Sequence, residues 1–225
     1  MKSSARGVAR FGLLTALALV LGYFDRAIPI TALLSGAVPG IKLGLANTVL
    51  LYGVYLMDWP SCVLLMLAKV LLSGFMFGSM SAILYSLSGG VLSLAVMLLV
   101  RRRPRAGALA IAVLAAASDA ALLWRHPSPK GQLLWCAILI ALACVAAVAV
   151  FAVLGRRPQY GVMATSLAGA VAHNVGQILV ASSVLRTPQL LYTYLPVLVG
   201  LGAAVGCLTG FVAQRVFKAL RMPGA

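Results

Sequence analysis

Two short polar stretches hold most of the residues able to do chemistry. PGIKLGLAN at 39–47 contains Lys42 and Asn47, and HNVGQ at 173–177 contains His173, Asn174 and Gln177. Polar side chains inside apolar helices are costly, so each stretch reads first as a functional site. A cation followed by an amide suits an anionic ligand group. Lys42 would supply the charge and Asn47 a hydrogen bond, and a helix starting just after Pro39-Gly40 would add its positive end. The competing reading of Lys42 is a snorkelling anchor at the outer interface. His173 and Gln177, at i and i+4, share a helix face that Asn174 borders. These three either contact a ligand or form an interhelical hydrogen-bond network that locks the bundle. Proton transfer by His173 is also open, although the sequence identifies no acidic partner for it.

Secondary candidates are Asp25 and Arg26 at the end of the first apolar run, Lys69 within the third, Ser86 beside Gly89-Gly90, and Tyr194. A lysine at the centre of a bilayer costs about 3 kcal/mol unless it snorkels or finds a partner.

Composition fixes the class of element that must position these groups. The 225 residues are 63% hydrophobic and 9% charged, with a mean hydropathy of +1.06. A soluble domain needs about 25% charged residues to cover its surface, so the chain is expected to be an all-α, polytopic membrane bundle. About eight spans fit the hydropathy: 9–26, 41–57, 61–79, 82–100, 106–124, 132–154, 160–184 and 190–214. The start resembles a signal peptide, with Lys2, Arg6 and Arg10 before an apolar run from Phe11 to Phe24. Asp25-Arg26 stands where a cleavage site should be, so a retained first span is expected.

Charge orients the bundle. With the N-terminus cytoplasmic and the spans alternating, twelve of the 18 basic residues fall inside, among them Arg101, Arg102, Arg103 and Arg105. Arg26, Lys42, Arg125, Lys130 and Arg186 fall at the outer side, and Lys69 falls within a span. That asymmetry satisfies the positive-inside rule and places both termini in the cytoplasm. The net charge of +15 suits anionic lipid head groups. The basic residues are dispersed over short loops, which argues against nucleic acid.

The acidic residues are Asp25, Asp58 and Asp119, and there is no Glu. Two-metal catalysis, paired Asp-rich prenyl-diphosphate chemistry and carboxylate acid–base pairs all need clustered carboxylates. The sequence also has no GxxxxGK[ST] loop. Catalysis by this chain alone is therefore not expected, nor is a metal or cofactor. Cys62, Cys136, Cys144 and Cys207 form no CxxC pair and read as small buried hydrophobes. Small residues recur at helical spacing, as in Ala164/Ala168/Ala172/Gly176 and Gly202/Gly206/Gly210. Such stripes allow close backbone approach, within the bundle or toward a partner.

GYFDRAIP, PGIKLGLAN, the stretch from Lys69 to Gly78, YSLSGG at 85–90, GAVAHNVGQ at 169–177 and YLPVL at 194–198 together resemble the Gx transporter family, also labelled heptaprenyl diphosphate synthase component I. Its members are similar to the substrate-binding S components of energy-coupling-factor transporters, compact bundles of about six helices. The resemblance implies a membrane-embedded component that binds a small anionic or amphipathic solute and works with a transmembrane coupling protein and ATPases, in a bacterial inner (cytoplasmic) membrane. It covers residues 1–103 and 160–220 of the single domain 1–225, leaving 104–159 as an inserted helical pair. The second label implies an alternative: a non-catalytic membrane subunit in prenyl diphosphate, quinone or flavin-linked redox traffic.

Overall fold

Runs of Leu, Val and Ala with few charges build helices wherever the backbone can satisfy itself internally, the condition that hydrocarbon imposes. A computed structural model describes residues 5–27, 41–42, 44–77, 80–102, 161–187 and 189–221. In chain order its helices are α1 (Ala5–Ala27), α2 (Asn47–Leu56), α3 (Trp59–Phe77), α4 (Met80–Arg102), α5 (Gly161–Val184), the short α6 (Gln189–Thr193) and α7 (Leu195–Ala219). No strand occurs among the described residues. Of these helices α1, α3, α4, α5 and α7 are long and apolar enough to cross a membrane. The expected spans 106–124 and 132–154 lie outside the described residues.

One expected span needs correcting. The helix expected from residue 41 begins at Asn47 and runs only to Leu56. Gly44 adopts φ +86°, a left-handed conformation that glycine alone takes at no steric cost, and it breaks the helix. The chain regains helical form through three tight bonds: the Asn47, Thr48 and Val49 N–H groups donate to the Gly44, Leu45 and Ala46 carbonyls at 2.8, 3.1 and 3.3 Å. Lys42 therefore sits in irregular backbone, separate from the helix that carries Asn47.

α2 ends where Met57 turns extended. The next helix opens on Asp58-Trp59-Pro60, where the Ser61 hydroxyl donates to the Asp58 carboxylate at 2.7 Å; proline is tolerated in a first helical turn because it lacks an N–H that would be unpaired there anyway. α4 closes on Arg101 and Arg102, and α7 carries Lys218 in its last turn, cations at the negative ends of their helix dipoles. These ends lie together. Arg101 donates to the Val54 carbonyl of α2 and stacks over the Tyr55 ring, 5.1 Å from its centroid. Tyr55 in turn meets Thr165 at the start of α5 at 3.1 Å and Phe217 of α7 at 5.5 Å between centroids.

α5 is the central helix, buried along most of its length, whereas α1 is largely exposed. On one side the Ala164, Ala168 and Ala172 stripe packs on Val96 and Val100 of α4, and Gly176 lies against the Ser88–Gly89 backbone. On another side Gly202, Gly206 and Gly210 bring α7 onto α5. These stripes serve packing within the chain. Cys62 is buried, as expected of a small hydrophobe.

Candidate ligand-binding site

The irregular backbone at 41–42 and 44–46 creates the need that the polar residues meet. Inside a bundle, backbone N–H and C=O groups outside a helix must find protein partners. The Gln177 side chain supplies two: its Oε1 accepts the Lys42 N–H and its Nε2 donates to the Lys42 carbonyl, both at 3.1 Å. Asp25 supplies another, with Oδ2 accepting the Gly44 N–H at 3.0 Å. The two polar stretches are thus joined through the backbone of one and a side chain of the other.

Around this segment lies a small polar cavity. α1 contributes Gly22 and Asp25, the segment Lys42, Gly44 and Ala46, and α3 Lys69, Val70 and Ser73; Ser86 of α4 and His173 of α5 close it. The cavity encloses about 20 Å³, room for one or two waters. On α3, Lys69 lies ten residues beyond Trp59 and Ser73 fourteen, so the cavity sits roughly 15–21 Å from the Arg101 end of the bundle.

Its side chains form a connected polar set. Lys69 Nζ donates to Asn47 Oδ1 at 2.5 Å, and Lys42 Nζ donates to Ser73 Oγ at 3.1 Å. The charges of Lys69 and Lys42 both act on Asp25. Asp25, Asn47, Lys69 and His173 are all buried. Several of their polar atoms nonetheless have no hydrogen-bond partner, namely Asp25 Oδ1, Asn47 Nδ2 and His173 Nδ1. The His173 ring is held between two glycines: a Cβ at Gly44 would lie 2.9 Å from its Cδ2, and one at Gly89 would lie 2.6 Å from its Nδ1.

Of the residues singled out from sequence, Lys42 and His173 line the cavity, and Asn47 holds Lys69 beside it. Gln177 clamps the segment's backbone. Asn174 faces elsewhere, donating to the Leu198 carbonyl of α7 at 2.6 Å. Asp25, Lys69 and Ser86 also line the cavity. Tyr194 packs in the apolar cluster of α5 and α7 with Leu198 and Ile178, and the Arg26 side chain lies outside the described residues. Ser73 and Gly22 were not foreseen. A signal existed, since Ser73 is at i+4 from Lys69 and Gly22 at i−3 from Asp25, the helical spacings that share a face.

A family model described as heptaprenyl diphosphate synthase component I matches the chain over residues 14–122 and 128–216. Those ranges run through most of 104–159, the segment set apart from sequence as an insert. No curated protein and no solved structure matches the chain.

Proposed function

The chain belongs to the heptaprenyl diphosphate synthase component I family, and from that membership and the cavity's chemistry we propose that it is the membrane-embedded solute-binding component of a transporter. The observation that carries this reading is a cavity lined by Lys42, Lys69, Asp25 and His173 in which the buried Asp25 Oδ1 has no hydrogen-bond partner, with the partnerless Asn47 Nδ2 beside Gly44 at its edge. Buried polar groups in proteins are nearly always satisfied, so an unpaired carboxylate oxygen lining a cavity points to a ligand. In an apolar membrane bundle it points there more strongly, because water cannot reach it freely.

In this reading a small anionic or amphipathic solute enters from the side opposite the Arg101 end. Lys42 and Lys69 neutralise its anion, and Asn47 and His173 supply hydrogen bonds. Gln177 and Asp25 hold the segment that carries Lys42. The basic end faces the cytoplasm, as do both termini, and the chain has about eight spans in the inner membrane. Movement of the solute needs a separate energising partner, a transmembrane coupling protein with ATPases, because the sequence contains no phosphate loop.

The family's description favours a second reading: a non-catalytic membrane subunit that hands on prenyl diphosphates or quinones. Native mass spectrometry of the detergent-extracted protein separates the two, since it reports bound small molecules and bound proteins together. A retained small solute, lost in Lys42→Ala and His173→Ala variants that keep their fold, supports the first. Copurification of a soluble prenyl synthase with no retained solute supports the second.

A further inference from the structure

The two faces of α7 differ in character. Gly202, Gly206 and Gly210 seat one of them on α5. The other carries Ala204, Leu208, Phe211, Arg215 and Lys218, whose alternating spacings of four and three residues put them on one side of the helix. All five are exposed, Leu208 to 65% and Phe211 to 48%. At the helical rise this stripe is about 21 Å long, apolar along most of its length and cationic at its end. That end lies with Arg101, because Phe217 of the same helix meets Tyr55, the ring beneath Arg101.

Arg215 sets the face apart. Its guanidinium lies over the Phe211 ring, 5.0 Å from the centroid. Arg101 is stacked in the same way but gives an N–H to the Val54 carbonyl. The Arg215 guanidinium has no hydrogen-bond acceptor among the described residues. No acidic residue stands on α7, and the described carboxylates are engaged elsewhere, Asp25 at Gly44 and Asp58 at Ser61. A planar fork held by a ring is prepared for phosphate, which it takes through paired bonds. Holding it in advance lowers the cost of ordering it on binding. Lys218, in the last turn, offsets the negative end of the helix dipole that would oppose an anion there.

From this arrangement we infer that the exposed face of α7 is a binding site for an anionic phospholipid, with its phosphate on Arg215 beside Lys218 and an acyl chain along Phe211, Leu208 and Ala204. The inference is independent of the solute-binding reading, since it concerns a different helix and a different face. Charge complementarity favours a lipid over a partner helix, which would have to bring its own acidic residues to two cations. Shape favours it too. Close helix contact in hydrocarbon uses small residues, and the glycines of α7 are already packed on α5.

α1 provides a comparison within the same chain. Arg6, Arg10, Leu13 and Leu17 repeat the pattern of cations followed by apolar residues on an exposed face, but neither arginine is stacked on a ring among the described residues. General attraction of basic residues to anionic head groups acts on both faces alike. A guanidinium fixed in advance is present only on α7.

The test is native mass spectrometry of the full-length protein in detergent, titrated with phosphatidylglycerol or with phosphatidylcholine. Wild type should bind its first phosphatidylglycerol at concentrations about tenfold below those for phosphatidylcholine, the factor expected of a charge-assisted contact. Arg215→Gln should abolish that preference. Phe211→Leu keeps the apolar surface but frees the guanidinium, and should reduce the preference about threefold. The Arg6→Gln/Arg10→Gln double variant should bind its first phosphatidylglycerol as wild type does. All four positions are exposed, so unchanged melting temperatures should confirm that the variants fold.

Equal binding of the two lipids by wild type would overturn the site, and so would a preference that survives Arg215→Gln. An equal loss in the α1 double variant would replace it with a general basic collar. A second protein or second copy that is retained by wild type and released by Arg215→Gln would give the face to a protein partner instead.

Discussion

The two sides of α5 treat polarity in opposite ways. Toward α7, Asn174 donates to the Leu198 carbonyl and Ser166 pairs with Thr209 at 3.1 Å. The glycines at 202, 206 and 210 bring the backbones close around them. Toward α1 and α3, one residue earlier in sequence, His173 lines a cavity in which the buried Asp25 Oδ1 has no partner. The difference separates polarity that ties two helices together from polarity that lines a space. Residue type does not distinguish the two, and neither does satisfaction alone, since Asn174 Oδ1 also lacks a partner; what differs is that Asn174 lies between packed helices while His173 lines the cavity.

Substitutions can break that contrast. The largest effect is expected at Gly206 on the packed side, where a Cβ would sit 2.9 Å from the Leu167 Cα and from the Ala170 Cβ. Gly206→Leu forces α7 off α5 and should cost about 3 kcal/mol or more, read as loss of folded protein in size-exclusion chromatography. Gln177→Leu comes next. It strands the Lys42 N–H and carbonyl inside the bundle, for about 2 kcal/mol, and it should also blunt any ligand-induced shift because the segment carrying Lys42 is freed. Asn174→Ala should be mildest. It removes one hydrogen bond but also removes an Oδ1 that has no partner, and hydrogen bonds within membranes average about 0.6 kcal/mol. Its melting temperature should fall slightly while any ligand-induced shift stays as in wild type. An Asn174→Ala protein that loses a ligand-induced shift seen in wild type would erase the distinction between the two sides.

Much of this arrangement was legible in the sequence, and the parts that were not have physical reasons. The long helices follow from uninterrupted apolar runs, and the two polar stretches do meet. The start of α2 was hidden because Ile41 to Ala46 is as apolar as any helix, apart from Lys42. Only the positive φ of Gly44 distinguishes it, and a glycine in sequence does not declare its φ. His173 and Asn174 read as one polar sector because they are neighbours in sequence. Successive residues on a helix point about 100° apart, enough to send one to the cavity and the other to α7. The role of Asp25 was illegible for another reason, since its partner is a backbone N–H, which no sequence pattern marks. Ser73 and Gly22 could have been found by extending helical spacing from Lys69 and Asp25.

The Gln177 clamp on Lys42 has a consequence for how the protein is made. The two residues are separated by 135 positions, and chains are synthesised at about 5–20 residues per second. For on the order of 10 s after Lys42 emerges, the chain that will satisfy its backbone has not been made. During that interval segment 41–46 cannot settle into hydrocarbon without stranding its N–H and carbonyl groups. It has to wait in water or beside the insertion machinery until α5 arrives. The candidate site is thus completed only once α5 has been made, and its assembly reports that the chain has been inserted at least that far.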